Sequence, residues 1–396
     1  MALTAAGVIN LARKFMPMHV LELQGGGPSE AAKQIKVEFK PDEQGACSVI
    51  NGSTGAEQWI APGGTLPAGG SLTPAQTQYG PTTAFDRLLI PNGILTGSKN
   101  LAGGVNSLNA NFRAAAERMV MTTNRGIFRK SSYTTVNGVA GSATTTDVKD
   151  VSWCQPGTVY QVRHPTTNTL LDTFTLTSFT ALADATGDYV LTFPAAAVGW
   201  ASGSIIYAVG AQALSMDSLE EVTNAAVTTF QNVTTAAIPA WTGITDSAGG
   251  ALTSAKMVSV GNAIENFSRS RYHYIAMNPI TESNYEELFT AQRRYQTGDK
   301  LDQFVLTPSF NGRPIFSGPE ISLEDVWFVN KDHISVHEYK KMGPNTDGGE
   351  NKGGEVNALG LTQHPTANSL EMRISRELQL RVRSRCSSGR ITGVTI

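Results

Sequence analysis

Residues 106–131 read NSLNANFRAAAERMVMTTNRGIFRKS, and their spacing decides the fold. Apolar side chains fall at Leu108, Phe112, Ala115, Ala116, Met119, Val120 and Ile127. That is the recurrence of one buried helical stripe. Arg113, Glu117, Arg118, Asn124 and Arg125 fill much of the opposite face. Asn106 or Ser107 can cap the start, because either side chain accepts from an orphan backbone N–H. Gly126 weakens the last turn. At ~1.5 Å per residue the helix would be close to 40 Å long. It stands alone between Thr-, Gly- and Ser-rich stretches patterned as strand, a strut suited to spanning a subunit rather than walling a pocket.

Upstream, residues 1–36 read as an arm. Val8, Ile9, Leu11, Ala12 and Phe15 allow a short amphipathic helix, and Gly25-Gly26-Gly27-Pro28 breaks it. Residues 37–105 hold short strands, such as Val37-Glu38-Phe39 and Leu88–Thr96, around an unusual loop. From Gln58 to Phe85 there is no charged residue. Pro62-Gly63-Gly64, Leu66-Pro67 and Gly69-Gly70 exclude a long helix there. A disordered loop is one reading, but disorder usually comes with charge. An uncharged, Pro-stiffened arm lying on a neighbouring subunit fits the composition better.

Downstream, residues 132–211 read as a separate β module. Val148 with Val151, Val159–Val162, Thr173–Thr177, Tyr189–Phe193 and Ile205–Tyr207 are short β-branched or aromatic runs, parted by turn residues such as Gln155-Pro156-Gly157. A small barrel or sandwich is expected. Residues 212–342 read as an α/β unit. One helical stripe runs through Leu219, Val222, Ala226, Val227 and Phe230, capped by Asp217 or Ser218. A second helix covers Leu252–Phe267 and a third Glu282–Tyr295, with strands at Tyr272–Met277, Val305-Leu306, Pro314–Phe316 and Val326–Val329. In residues 343–396 a Gly-rich loop precedes a strand. There Leu378, Leu380 and Val382 alternate with Gln379, Arg381 and Arg383, one face in and one out.

Charged residues make up only 16% of the 396 positions and the formal net charge is −2. A Thr/Ser-rich β protein, secreted, has this composition; so does a subunit whose surface is covered by neighbours, since interface cores are depleted in Lys, Glu and Asp. Gripping nucleic acid by charge needs clustered Lys and Arg. The densest basic series, Arg373, Arg376, Arg381, Arg383, Arg385 and Arg390, is spread along a strand. Cys47, Cys154 and Cys386 give neither a disulfide framework nor a zinc pattern. No run reaches the roughly 18 apolar residues of a membrane span, and no membrane partner is expected.

His333 and His337, with Glu338 adjacent, have metal-ligand spacing only on a helix. Their context reads as strand, where four residues span about 13 Å, too far for two imidazoles to share one zinc. No Gly-rich phosphate cradle, nucleophile elbow or nucleophile–base pair is present. The expectation is no enzyme, no metal and no cofactor.

In order, these pieces resemble a tailed-bacteriophage major capsid protein, whose fold is shared by herpesvirus capsid floors and encapsulins. Gly63-Gly64-Thr65-Leu66-Pro67-Ala68-Gly69 is similar to the Gly/Leu-Pro stretch of extended loops in that family. Asn111–Lys130 resembles the spine helix, with its exit at Gly126. Leu219-Glu220-Glu221-Val222 followed by Ile238-Pro239-Ala240-Trp241 resembles the helix and Pro-Ala-Trp entry of family members with a β insertion. Asn311-Gly312-Arg313-Pro314-Ile315, Val326-Trp327-Phe328-Val329-Asn330, Leu380-Arg381-Val382-Arg383 and Gly389-Arg390-Ile391-Thr392-Gly393 resemble later segments.

The resemblance implies an α+β fold of six parts. These are an N-terminal arm (1–36), an extended loop with flanking strands (37–105), a spine helix in the peripheral domain (106–131), an inserted β domain (132–211), an axial domain (212–342) and return strands of the peripheral domain (343–396). It implies a structural subunit of an icosahedral double-stranded DNA phage head, found in the virion and assembled in the host cytoplasm. Hexamers and pentamers of the chain would enclose DNA without sequence-specific binding. Partners would be a scaffolding protein, a portal and, as a further candidate, a decoration protein. Expected contacts with neighbouring copies are Phe15 of the arm and Trp59, Pro62, Gly63, Leu66, Pro67, Gly69 and Tyr79 of the loop. The insert would stabilise the monomer or decorate the shell. No lysine lies between Lys40 and Lys99, which argues against the lysine–asparagine cross-link of some members. Residues 1–36 are too short and Gly-rich for a cleaved helical leader. An encapsulin-type compartment shell and a β-rich surface-adhesion protein remain as alternatives.

Overall fold

The computed structural model describes residues 30–40, 46–53, 72–91, 119–130, 132–137, 144–151, 154, 156–165, 167–180, 189–194, 199–209, 215–236, 238, 240–290, 309–344, 361–363 and 369–395. Within them the chain is a mixture of helices and several sheets.

The first sheet is built on the long strand Ser369–Val382. Thr82–Pro91 pairs antiparallel along one edge, from Thr82 opposite Leu378 to Pro91 opposite Ser369. Ile334–Pro344 and then Leu361–Gln363 pair antiparallel with it too. Lys36–Phe39 adds a parallel edge strand on Ile334–Pro344. The period-two pattern does what it should: Leu378, Leu380 and Val382 are buried, with Ile334 and Val336 beside them. Gln379, expected on the outer face, is buried as well. Its side chain is spent on backbone, accepting from Asp217 N at 2.8 Å and donating to Gly80 O at 3.1 Å.

Residues 119–128 are helical; the part of the expected spine before 119 lies outside the described residues. Three features differ from the one-stripe expectation. The helix passes through Gly126, and Arg129 N still bonds Arg125 O at 2.9 Å. A Cβ at position 126 would stand 3.1 Å from Met216 Cε, so the glycine serves a close approach rather than a stop. Asn124 and Arg125, expected on a polar face, are buried, as are Ile127 and Phe128. The end of this helix is enclosed on all sides because core lies on more than one of its faces.

The second sheet runs in the order Ile244–Ala251, Gly389–Thr395, Val326–Val329, Tyr274–Met277, Arg313–Ser317, Ser309–Phe310. Its central strands Tyr274–Met277 and Val326–Val329 are buried throughout. Alternation sends their side chains to two different cores. Tyr274, Ala276, Trp327 and Val329 join Phe128, Leu219, Val222, Trp241 and the first-sheet residues. Ile275, Met277, Val326 and Phe328 meet Met257, Val260 and Ile264 of the helix Ser254–Ser268. That helix sits close because Gly389 has no side chain; a Cβ there would lie 2.9 Å from Val260 Cγ1. The third helix is Pro279–Thr290. Val305-Leu306 lies outside the described residues.

Two sequence expectations give way here. The terminal strand does not return to the first sheet: Gly389–Thr395 pairs with Ile244–Ala251 and Val326–Val329, after a short 3-10 turn at Arg385–Ser387 redirects the chain. The helix expected through Phe230 is only Leu219–Thr223. Thr229–Phe230 pairs with Val233–Thr234 instead. Gln231 and Asn232 make the turn at φ 47° and 64°, the double left-handed geometry of a tight hairpin, which Asn tolerates. Ser218 occupies the helix N-cap position without a side-chain bond.

Between the helix at 119–128 and Met216 lie two small sheets. Ser132–Thr135, Ile205–Ala208, Val159–Arg163 and Leu170–Thr175 form one; Thr145–Val148, Tyr189–Thr192 and Ser178–Phe179 form the other. They share one core containing Val148, Tyr160, Val162, Phe174, Leu191, Phe193, Trp200 and Ile206. Cys154, in the same core, is a free thiol pushed up to about 12 by burial.

Candidate assembly surface

Ala46–Ser53 and Leu72–Gln78 form an antiparallel hairpin, with Ala46 opposite Gln78. Among the described residues these two strands pair only with each other. A two-stranded ribbon on its own is marginally stable in water, so this one depends on what it is rooted in and what it touches. The root is polar and specific. Gln78 N donates to Gln231 O at 2.9 Å and Asn232 Nδ2 to Gln78 Oε1 at 3.4 Å. Gln231 Nε2 in turn donates to Asp217 Oδ2 at 3.0 Å and Leu380 O at 2.7 Å. Burial pushes the Asp217 carboxyl up, against the pull of Gln231 and Lys130. The tight turn that broke the expected helix is thus the socket of the hairpin.

The expected contact residues fall unevenly. Phe15, Trp59, Pro62, Gly63, Leu66, Pro67 and Gly69 lie outside the described residues. Tyr79 is described: it is 4% exposed and packs edge-on against His337, ring centroids 5.8 Å apart. Its ring is covered by its own chain. Composition could not reveal this, because Tyr79 sits in the uncharged stretch but at its rooted end.

His337 is buried in the first sheet, and His333 lies just before the strand Ile334–Pro344. Arg381 Nη1 lies 3.2 Å from His337 Nε2, and Glu38 Oε2 3.5 Å from it. Lys36, then His337 and Arg381, hold the Glu38 carboxyl below its usual range. Among the described residues the strand carrying Glu38 is at the end of the sheet, and Val37 and Phe39 on it are 48% and 47% exposed. An edge strand with exposed apolar side chains can accept a further strand.

The residue most missed by sequence reading is Arg385. It is 0% exposed and donates to five main-chain carbonyls, those of Glu221, Val222, Asn224, Val227 and Trp241, at 2.9–3.2 Å. Three of these belong to the end of the helix Leu219–Thr223, where carbonyls lack helical partners. The guanidinium also lies 5.2 Å from the Phe230 ring centroid. Burial draws its pKa down to about 10, with Glu221 opposing. Its neighbours continue the joint. Arg390 lies over Trp327 at 5.0 Å and 3.4 Å from Glu220. Lys130 pairs with Glu221. Arg129 reaches Asp325, whose carboxyl burial pushes up. Arg376 binds Glu338 at 2.6 Å. The spread basic series therefore points largely into its own subunit. Among the described residues there is no group of three or more metal-ligating side chains, and no helix long and apolar enough to cross a membrane.

No protein-family model matches the chain, and no curated protein matches it. Solved structures do. The chain aligns with a chain of the cyanophage A-1(L) capsid asymmetric unit over 98% of its own length and 99% of that chain, with TM-score 0.55 and 13% identity. It aligns with the capsid of an empty GTA particle over 100% and 99%, with TM-score 0.48 and 10% identity. For Gordonia phage Cozz the values are 99% and 95%, 0.46 and 10%. At 13% identity the cyanophage likeness is one of fold, and it runs end to end. The chain has the fold of a phage capsid subunit.

Proposed function

We propose that this chain is the shell-forming subunit of an icosahedral double-stranded DNA phage head, assembling with itself into hexamers and pentamers. The end-to-end fold match to the cyanophage capsid chain carries the reading. The low charge supports it, because a surface buried by neighbours needs few Lys, Asp and Glu. So does the two-stranded hairpin, which has a polar socket in its own subunit and no third strand among the described residues. In this proposal the arm ahead of Glu30 and the loop between 53 and 72 lie across adjacent copies, whereas Ala31, Ala32 and Ile35 are held in the subunit's own core; residues 132–211 are an inserted domain, and DNA is enclosed rather than gripped. Scaffolding and portal proteins are the expected partners, with a decoration protein as a further one. The virion is the location and the host cytoplasm the place of assembly.

Electron microscopy of the purified protein is the test. Closed shells support the proposal; a solitary monomer at high concentration refutes it. Shells filled with protein rather than DNA would favour the encapsulin-type alternative. Leu66→Asp sharpens the test by placing a charge on the uncharged loop. It should leave the circular dichroism of the subunit unchanged and abolish particles in sedimentation. Normal particle yield would remove the loop from the interface.

A further inference from the structure

The strands Arg313–Ser317 and Val326–Val329 are joined by residues 318–325, and several parts of the subunit hold this loop. Asn278 Nδ2 donates to Ile321 O at 2.8 Å, and Thr281 Oγ1 to Leu323 O at 2.7 Å. Val394 N donates to Glu324 O at 3.1 Å, and Asp325 faces Arg129 across 4.0 Å. Ile321 belongs to the first core. The loop is therefore a joint between the second sheet, the start of the helix Pro279–Thr290, and the helix at 119–128.

Glu320 lies inside this joint, 2% exposed. Its carboxyl is tucked against Gly318, where a Cβ would stand 2.8 Å from Oε1. Oε1 meets no hydrogen-bond donor among the described residues. No charged side chain among them acts on it. Glu324 and Asp325 follow it on the same loop, and Glu282 and Glu286 stand on the helix the loop packs against. Asp325 answers to Arg390, Arg129, Glu220 and Glu324 instead. A buried carboxylate with no cation and an unmatched oxygen is costly; a neutral carboxyl there is much less so.

We propose that Glu320 is a proton-operated pin, seating the loop 318–325 when its carboxyl is neutral and loosening this joint when the proton leaves. Burial pushes the Glu320 carboxyl up from 4.5 to about 7, so the transition falls near neutral pH. The folded chain holds this proton more tightly than the unfolded chain does. The seated state is therefore fully favoured below the ordinary carboxylate range, and that advantage is lost as pH rises from 4.5 through 7.

Glu320→Gln, in the full-length unassembled subunit, keeps the shape and removes the titration. The ratio of its folding constant to that of the wild type, from urea unfolding, should grow by roughly a hundredfold between pH 4.5 and pH 8.5. Hydrogen exchange on the wild type alone gives a second readout. Amides of 318–325 should exchange faster at pH 8.5 than the intrinsic base-catalysed rate accounts for, while those of Tyr274–Met277 should not. Parallel pH dependence of variant and wild type, or exchange at 318–325 that follows the intrinsic rate alone, overturns the proposal. Should the variant fail to fold, the wild-type exchange decides.

Discussion

In the small two-sheet unit, Phe174 lies 5.3 Å from Phe193 and 5.0 Å from Trp200, within one cluster of packed apolar side chains. At the joint around Arg385, a buried guanidinium meets five carbonyls, with partly exposed ion pairs nearby. The two regions hold together by opposite means. Apolar packing is non-directional and tolerates repacking. A buried guanidinium fixes directions, because each N–H has one carbonyl to meet. The first suits a unit whose side chains can vary; the second suits a junction of two sheets that has one allowed geometry.

The largest expected effect comes from breaking the junction. Arg385→Leu leaves five carbonyls without their donor and should cost about 3–5 kcal/mol. Urea unfolding would measure it, and Arg385→Lys should recover only part of the loss, since an ammonium cannot span the same five acceptors. Full rescue by Lys would show that charge matters and the fork does not. Phe174→Ala should cost about 3–4 kcal/mol but confine the damage. Hydrogen exchange should rise across 145–207 and remain protected at 274–277. Exchange rising equally in both would mean that the two regions fold as one. Gly389→Ala should be the smallest, about 1–3 kcal/mol from pressing a methyl against Val260. Its cost should fall if Val260→Ala is added, and an unchanged cost would place the strain elsewhere.

What could be read from the sequence follows the same division. The strands Val159–Arg163, Tyr189–Thr192 and Ile205–Ala208 lie close to their β-branched and aromatic runs, because strand signals in a small β unit are local. Val326–Val329 and the period-two face of Leu378, Leu380 and Val382 were equally plain. The junction was not. A run of apolar residues from Leu219 to Phe230 has helical spacing, and only the Gln231-Asn232 turn, after β-branched Val227, Thr228 and Thr229, signals a hairpin. Arg385 binds main-chain carbonyls, which every residue has, so no pairing of side chains announces it. The partner of Gly389–Thr395 is set by a turn and by long-range fit, neither of which leaves a periodic mark. The candidate surface was legible as composition, an uncharged stretch, but not residue by residue: Tyr79 shares that composition and is interior.

The carbonyls that Arg385 satisfies precede it by 144 to 164 positions. On the ribosome, at about 5–20 residues per second, that separation is roughly 10–30 s of waiting. For that interval the carbonyls at the end of the segment Leu219–Thr223 lack their guanidinium donor. The nascent chain thus cannot close this junction before Arg385 itself has been made.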